Sequence, residues 1–284
     1  MDEPIEDESG RYLARLATDG LPARSVGSWA KKKLQVLKTY IDLFTVGMKP
    51  TSKKEFNWSN LVYIDLFSGP GRCIIRTTGE EILGSPLHAF NAPYPFSKLY
   101  FIEASEWARQ TLSERVGKDK RCIVLEGNCN IGVSRIVQEK IDNSLYLAFI
   151  DPTGLDIHFQ TIKNLANGIP CDLIVNFFMS SLTRNLPHWQ QQQESERLDL
   201  FFGTSEWKAL LTKPQSQNRI FRDMVDLYRR QLEGIGYIHQ ADPYSVKNSK
   251  GAEMYWLWFA SKHPLGLKYW KETIKSSDQQ GTLF

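Results

Sequence analysis

The stretch Asp65-Leu66-Phe67-Ser68-Gly69-Pro70-Gly71-Arg72 sets a carboxylate, an aromatic ring and two glycines directly after an apolar run. Gly69 and Gly71 let the backbone turn tightly and come close to a ligand without side-chain interference. Asp65, at the end of a strand, is placed to accept from a cationic group such as the ammonium of S-adenosylmethionine, with Phe67 beside it. A glycine turn that merely reverses the chain would read the same way. Two further polar residues end later apolar runs. Glu103 has the chemistry to bind both hydroxyls of a ribose, and Asn128, in Glu126-Gly127-Asn128, can pair with an adenine edge. A helix-capping role is the ordinary alternative for Glu103. Gly71 and Glu103 lie 32 positions apart, whereas the dinucleotide fingerprint spaces its glycines and acid by about 20. Residues 73–83 also separate the glycines from the next helix, so a nicotinamide cofactor is disfavoured.

The reacting chemistry is expected at Asp151-Pro152-Thr153-Gly154, which follows the run Leu145–Ile150 without a break. An exocyclic amine is a poor nucleophile because its lone pair is conjugated to the ring. Asp151, helped by the Pro152 carbonyl and with Thr153 alongside, can hold the amine protons and favour a pyramidal nitrogen. A methyl group then transfers in line, with positioning supplying much of the acceleration. An Asp-Pro turn closing a buried strand is the plain alternative. Substrate contacts are expected from Arg72, Arg184, Asn176 and Phe177. Arg76, Lys262 and the Lys31–Lys33 run can also meet a phosphate backbone, although a solvated helix face accounts equally for the lysines. Phe177, Phe178 or Trp189 would supply a stacking ring for a base flipped out of its helix.

The elements that hold these residues follow from periodicity. Trp29, Leu34, Leu37, Tyr40, Ile41 and Phe44 recur at three- and four-residue steps, predicting an amphipathic helix over 28–46. The sequence before it, residues 1–27, lacks a sustained apolar pattern and reads as a flexible N-terminal arm. Short apolar runs at Leu61–Phe67, Lys98–Ile102, Arg121–Leu125, Leu145–Ile150 and Asp172–Phe178 alternate with helical stretches, which predicts a parallel sheet covered on both faces. Residues 185–219 are polar and Gln-rich, and read as an insertion of short helices. Tyr237–Val246 and Ala252–Ser261 then form an antiparallel hairpin. The expected architecture is α/β: a Rossmann-like class I methyltransferase fold with a seven-stranded, mostly parallel sheet in one domain, 28–284.

Bulk counts exclude several classes. Apolar residues make up 42% of the 284 positions and charged residues 24%, ordinary values for a globular protein. With 35 Lys plus Arg against 32 Asp plus Glu, the net charge of +3 demands a local basic patch if a nucleic acid binds. The apolar runs are far shorter than the roughly 20 residues of a membrane span. The acidic start MDEPIEDESG is unlike a secretory signal, so a cytoplasmic location is expected. Cys73, Cys122, Cys129 and Cys171 form no Cys-x-x-Cys pair, and neither a His-Glu-x-x-His nor a phosphate-loop motif occurs. No metal site is expected.

Asp151-Pro152-Thr153-Gly154 resembles the Asp-Pro-Phe-Gly of guanine-N2 tRNA methyltransferases and, more distantly, the Asp-Pro-Pro-Tyr of adenine-N6 enzymes, without their aromatic. A broader resemblance spans roughly residues 30–270. Lys33-Leu34 to Phe44, Tyr63 to Arg72, Gly84-Ser85-Pro86-Leu87, Phe101-Ile102-Glu103, Phe149 to Pro152, Val175-Asn176-Phe177 and Phe259 to Gly266 are similar to the bacterial three-Cys-motif partner family. That resemblance implies a class I methyltransferase fold and a separate three-cysteine partner similar to radical S-adenosylmethionine proteins. The leading expectation is an S-adenosylmethionine-dependent methyltransferase acting on an exocyclic amine of a nucleic acid base, in RNA such as tRNA or in DNA. The competing one is a partner subunit that keeps the fold for binding. A nuclease built on Glu206-x-Lys208 ranks third, since that pair falls in the polar insertion.

Overall fold

The computed structural model describes residues 14–50, 58–177, 192–212, 216–248, 251 and 253–280. The chain enters through two short strands, β1 (Ala14–Leu16) and β2 (Pro22–Val26), and then the helix α1 (Trp29–Met48). Residues 14–26 therefore form two paired strands and their turn, where a flexible arm was expected; residues 1–13 lie outside the described residues. The reason is long-range pairing. β2 runs parallel to β4 (Arg72–Ile75), which itself pairs antiparallel with β5 (Glu81–Leu83). β1, β2, β4 and β5 make a small four-stranded sheet, and its central pairing joins segments too far apart to show as local periodicity. Arg115 fastens it from the main body, donating to both carboxylate oxygens of Asp19 and to the carbonyls of Leu21, Pro22 and Pro70. Its guanidinium holds the Asp19 carboxyl down at about 2.

The main sheet takes β3 (Asn60–Asp65), β6 (Lys98–Glu103), β7 (Cys122–Glu126), β8 (Ser144–Ile150) and β9 (Cys171–Phe177) in parallel, in the order β7-β6-β3-β8-β9. β12 (Glu253–Ser261) adds antiparallel to β9. The expected strand over 237–246 is split into β10 (His239–Gln240) and β11 (Tyr244–Lys247), both antiparallel to β12. Pro243 sits in the break, where it has no amide to give to a ladder. Taken as one interrupted edge strand, β10 and β11 complete seven positions across the sheet.

Between β3 and β9 come α2 (Ser85–Phe90), α3 (Glu106–Val116), α4 (Cys129–Gln138) and α5 (Phe159–Gly168). The region of the expected insertion holds α6 (Gln192–Phe202), α7 (Trp207–Leu211) and the start of α8 (Gln217–Gly234). α9 (Pro264–Gln280) closes the chain. Successive strand residues point to opposite faces, and both faces are covered. Tyr63, Phe101, Leu147, Phe149 and Phe259 pack with Leu37, Tyr40 and Phe44 of α1 and Trp270 of α9. Ile64, Ile102, Ala148, Val175 and Phe177 pack with α4 and α5, and with Phe201, Trp207 and Tyr228. The described helices of the insertion are thus part of the core.

Candidate functional site

Two cavities of about 240 and about 320 Å³ open at the C-terminal ends of the parallel strands. Arg24, Phe67, Asp151 and Thr153 line both, so the two are lobes of one cleft. A sheet of this topology puts ligands here, where the chain leaves β3 on one side and β8 on the other.

The floor is the turn after β3. Gly69 and Gly71 have φ of +64° and +94°, values that a side chain would strain. The Gly69 amide donates to Oε2 of Glu103 at 2.7 Å and the Ser105 amide to Oε1 at 2.8 Å. Glu103 therefore clasps the glycine turn and still lines the larger lobe, where its remaining lone pairs can accept from a ligand. Phe67, Gly69 and Gly71 line the smaller lobe. Asp65, expected to meet an ammonium directly, lines neither lobe. Strand alternation turns it, like Tyr63, toward the face covered by α1 and α2, where it is fully buried. It accepts from the Tyr63 hydroxyl and the Phe67 amide, both at 3.3 Å, and burial pushes its carboxyl up to about 7 against hydrogen bonds that include Ser85. Asn128 lines the larger lobe, and its side chain also caps α4 by accepting from the Asn130 amide at 2.8 Å.

Asp151 stands where the lobes meet, one residue past β8. Its Oδ2 is ion-paired with Lys33 of α1, and its Oδ1 accepts from Asn176 Nδ2 at 2.5 Å. Lys33 is no part of a solvated face. Lys31 pairs with Glu80, and Lys32 donates to the Ser277 carbonyl. The Lys33 ammonium also lies 5.2 Å from the centre of the Tyr255 ring. Asn176 Oδ1 is buried and has no hydrogen-bond partner among the described residues. Thr153 reaches Asp156 at 3.4 Å, and Asn130 pins this loop through the Asp156 carbonyl and the His158 amide.

Two substrate expectations change. Arg72 is committed to Asp19 and Glu81 within the small sheet and lines neither lobe. Phe177 points to the opposite face of β9 from Asn176, where Phe201, Tyr228 and Trp258 enclose it at centroid distances of 5.3, 5.2 and 5.9 Å. Arg184, Phe178 and Trp189 lie outside the described residues. Besides Phe67, the aromatic walls of the smaller lobe are Trp29 and Tyr255, the latter donating its hydroxyl to the Trp29 carbonyl at 2.6 Å. Arg24, Trp29 and Tyr255 escaped the sequence reading as site residues, and Lys33 was read as a phosphate contact or solvated lysine rather than as the partner of Asp151. Lys33 carried a signal as part of the basic run Lys31–Lys33. Cys73 lines the smaller lobe, but burial pushes its thiol up to about 11, too high for a thiolate nucleophile. Among the described residues no cluster of His, Cys, Asp and Glu is arranged to hold a metal ion, and no helix is long and apolar enough to cross a membrane.

Among solved structures, a Legionella pneumophila protein of the DUF519 family is similar at 13% identity with a TM-score of 0.52, over 88% of this chain and 92% of that one. That likeness shows the fold: a Rossmann-like, mostly parallel sheet with helices on both faces. A putative methyltransferase from Thermobifida fusca aligns at 11% identity and TM-score 0.45, covering 82% of this chain and 81% of its own. Trm1 from Pyrococcus horikoshii with S-adenosyl-L-methionine aligns at 10% identity and TM-score 0.42, covering 84% and 57%. No protein-family model and no curated protein matches the sequence.

Proposed function

We propose that the protein is an S-adenosylmethionine-dependent methyltransferase acting on an exocyclic amine, with a nucleic acid base as its acceptor. One observation carries the reading: Asn176, which lines the smaller lobe beside Asp151, has a buried acceptor, Oδ1, without a partner among the described residues. An unmet buried acceptor costs about 1–3 kcal/mol, and the N–H of an incoming amine would satisfy it.

The larger lobe fits the nucleoside part of the cofactor. Glu103 offers carboxylate lone pairs for ribose hydroxyls, Asn128 a polar edge, and Leu66, Phe67 and Ile102 apolar walls. When bound, the cofactor supplies an electrophilic methyl group. The remaining work falls to the protein. Trp29 and Tyr255 flank a planar ring, Asn176 Oδ1 accepts one amine proton, and the Pro152 carbonyl stands next in line. Asp151 is ion-paired with Lys33, which fixes its place beside a nitrogen that becomes cationic.

The test is transfer of a tritiated methyl group to total tRNA, rRNA and DNA. Asn176→Ala and Asp151→Ala should each lower the rate about 100-fold while leaving cofactor binding by calorimetry unchanged. Full activity in Asp151→Ala would overturn the mechanism.

A second reading has its own support: both oxygens of Asp151 are already engaged. A subunit that binds the cofactor without transferring its methyl group, in complex with a three-cysteine partner, fits that arrangement. Cofactor binding with no transfer to any acceptor, together with copurification of such a partner, would favour it.

A further inference from the structure

We propose that Arg24 forms an oxyanion subsite at the junction of the two lobes and takes the carboxylate at the amino-acid end of the cofactor. The inference rests on the cofactor reading above.

Arg24 lies on β2, in register with Cys73 of β4, and is among the residues shared by both lobes. Its Nε comes within 4.0 Å of the position that a Cβ on Gly69 would occupy, so the guanidinium stands over the glycine turn. It is half-buried, and has neither a hydrogen-bond nor an ion-pair partner among the described residues. Neighbouring arginines are committed. Arg72 pairs with Asp19 and Glu81, Arg115 binds Asp19 and three carbonyls, and Arg76 donates to the Ser25 carbonyl and lies over Trp29.

The cleft does not neutralise Arg24 itself. Asp151 is paired with Lys33, and Glu103 is held by two backbone amides. A half-buried guanidinium without a counter-ion favours an incoming oxyanion, and its planar fork matches a carboxylate through two parallel hydrogen bonds.

The full-length chain, Arg24→Met and Arg24→Lys are titrated calorimetrically with S-adenosylhomocysteine and with decarboxylated S-adenosylmethionine. Arg24→Met should weaken S-adenosylhomocysteine about 10- to 100-fold and leave the decarboxylated ligand within about twofold of the native chain, with Arg24→Lys intermediate. Equal losses for both ligands would show a structural role and overturn the proposal. Unchanged S-adenosylhomocysteine affinity, with tRNA filter binding weakened and its salt slope reduced by about 1, would assign Arg24 to a nucleic-acid phosphate instead. Absence of S-adenosylhomocysteine binding by the native chain would remove the cofactor reading and this subsite together. Loss confined to Arg24→Met would leave that reading standing.

Discussion

The Lys33–Asp151 pair joins α1 to the end of β8, and its strength follows from its position. The two side chains are 14% and 19% exposed, between the surface pairs that contribute about 0–1 kcal/mol and the buried pairs whose disruption costs about 3–5 kcal/mol. Lys33→Met removes the cation and leaves Asp151 with Asn176 alone. We expect a loss of about 2–3 kcal/mol, chiefly the cost of a poorly solvated carboxylate without its counter-ion. Asp151→Asn should cost less, because the Lys33 ammonium keeps its place over the Tyr255 ring at 5.2 Å, a contact of about 0.5–2 kcal/mol. The double variant replaces both charges and should be more stable than the two single losses predict. Urea denaturation of the four proteins gives the coupling free energy directly, and we expect about 1–3 kcal/mol. Coupling within about 0.5 kcal/mol of zero would mean that solvent screens the pair, and Lys33 would then not hold Asp151 in place.

Two further outcomes test the frame of the fold, one beside the cleft and one at the opposite end of the sheet. In Gly84→Ala the new Cβ would lie 2.9 Å from the Gly71 carbonyl oxygen, which is backbone and already accepts from the Gly84 amide at 2.7 Å. Denaturation should show a loss of about 2 kcal/mol or more, against about 1 kcal/mol for Gly79→Ala, where φ is +71° but no atom lies within 4 Å; equal losses would refute the steric account. Asp172 is buried beneath the Tyr40 hydroxyl, and burial raises its carboxyl from the ordinary 3.8 to about 6. The folded state thus holds this proton more tightly than the unfolded one, so the group's contribution is complete below pH 4 and is lost as pH rises toward 6, at no more than about 1.4 kcal/mol per pH unit. Asp65 acts with the same sign and His88, lowered to about 4, with the opposite one, so a variant is needed to isolate Asp172. The melting temperature of Asp172→Asn should gain on that of the native chain between pH 4 and 6, and parallel curves would contradict the assignment.

Much of the framework was legible because it is written locally. The apolar runs ending at Asp65, Glu103, Glu126 and Ile150 became strands within a residue or two of their expected ends, since a run covered on both faces needs no partner to reveal it. The glycine turn, Glu103 and Asp151 were brought to one end of the sheet because parallel strands present all their C-terminal ends together.

What the chain alone left open depends on which side a residue faces and what arrives from afar. Strand alternation sends Asp65 beneath the cleft and Phe177 into an aromatic cluster while Asn176, one position earlier, faces the lobe. That choice turns on register against neighbouring strands, which composition does not encode. The pairing of β2 with β4 brings Arg24 over Gly69, and the packing of α1 brings Trp29 and Lys33 to Tyr255 and Asp151. The sequence by itself determined the sheet and the polar residues at its strand ends, because those follow from periodicities of a few residues. Only the tertiary structure decided which charges meet at Asp151 and which arginine is left uncommitted, because such contacts join positions as far apart as 118 and 226 residues.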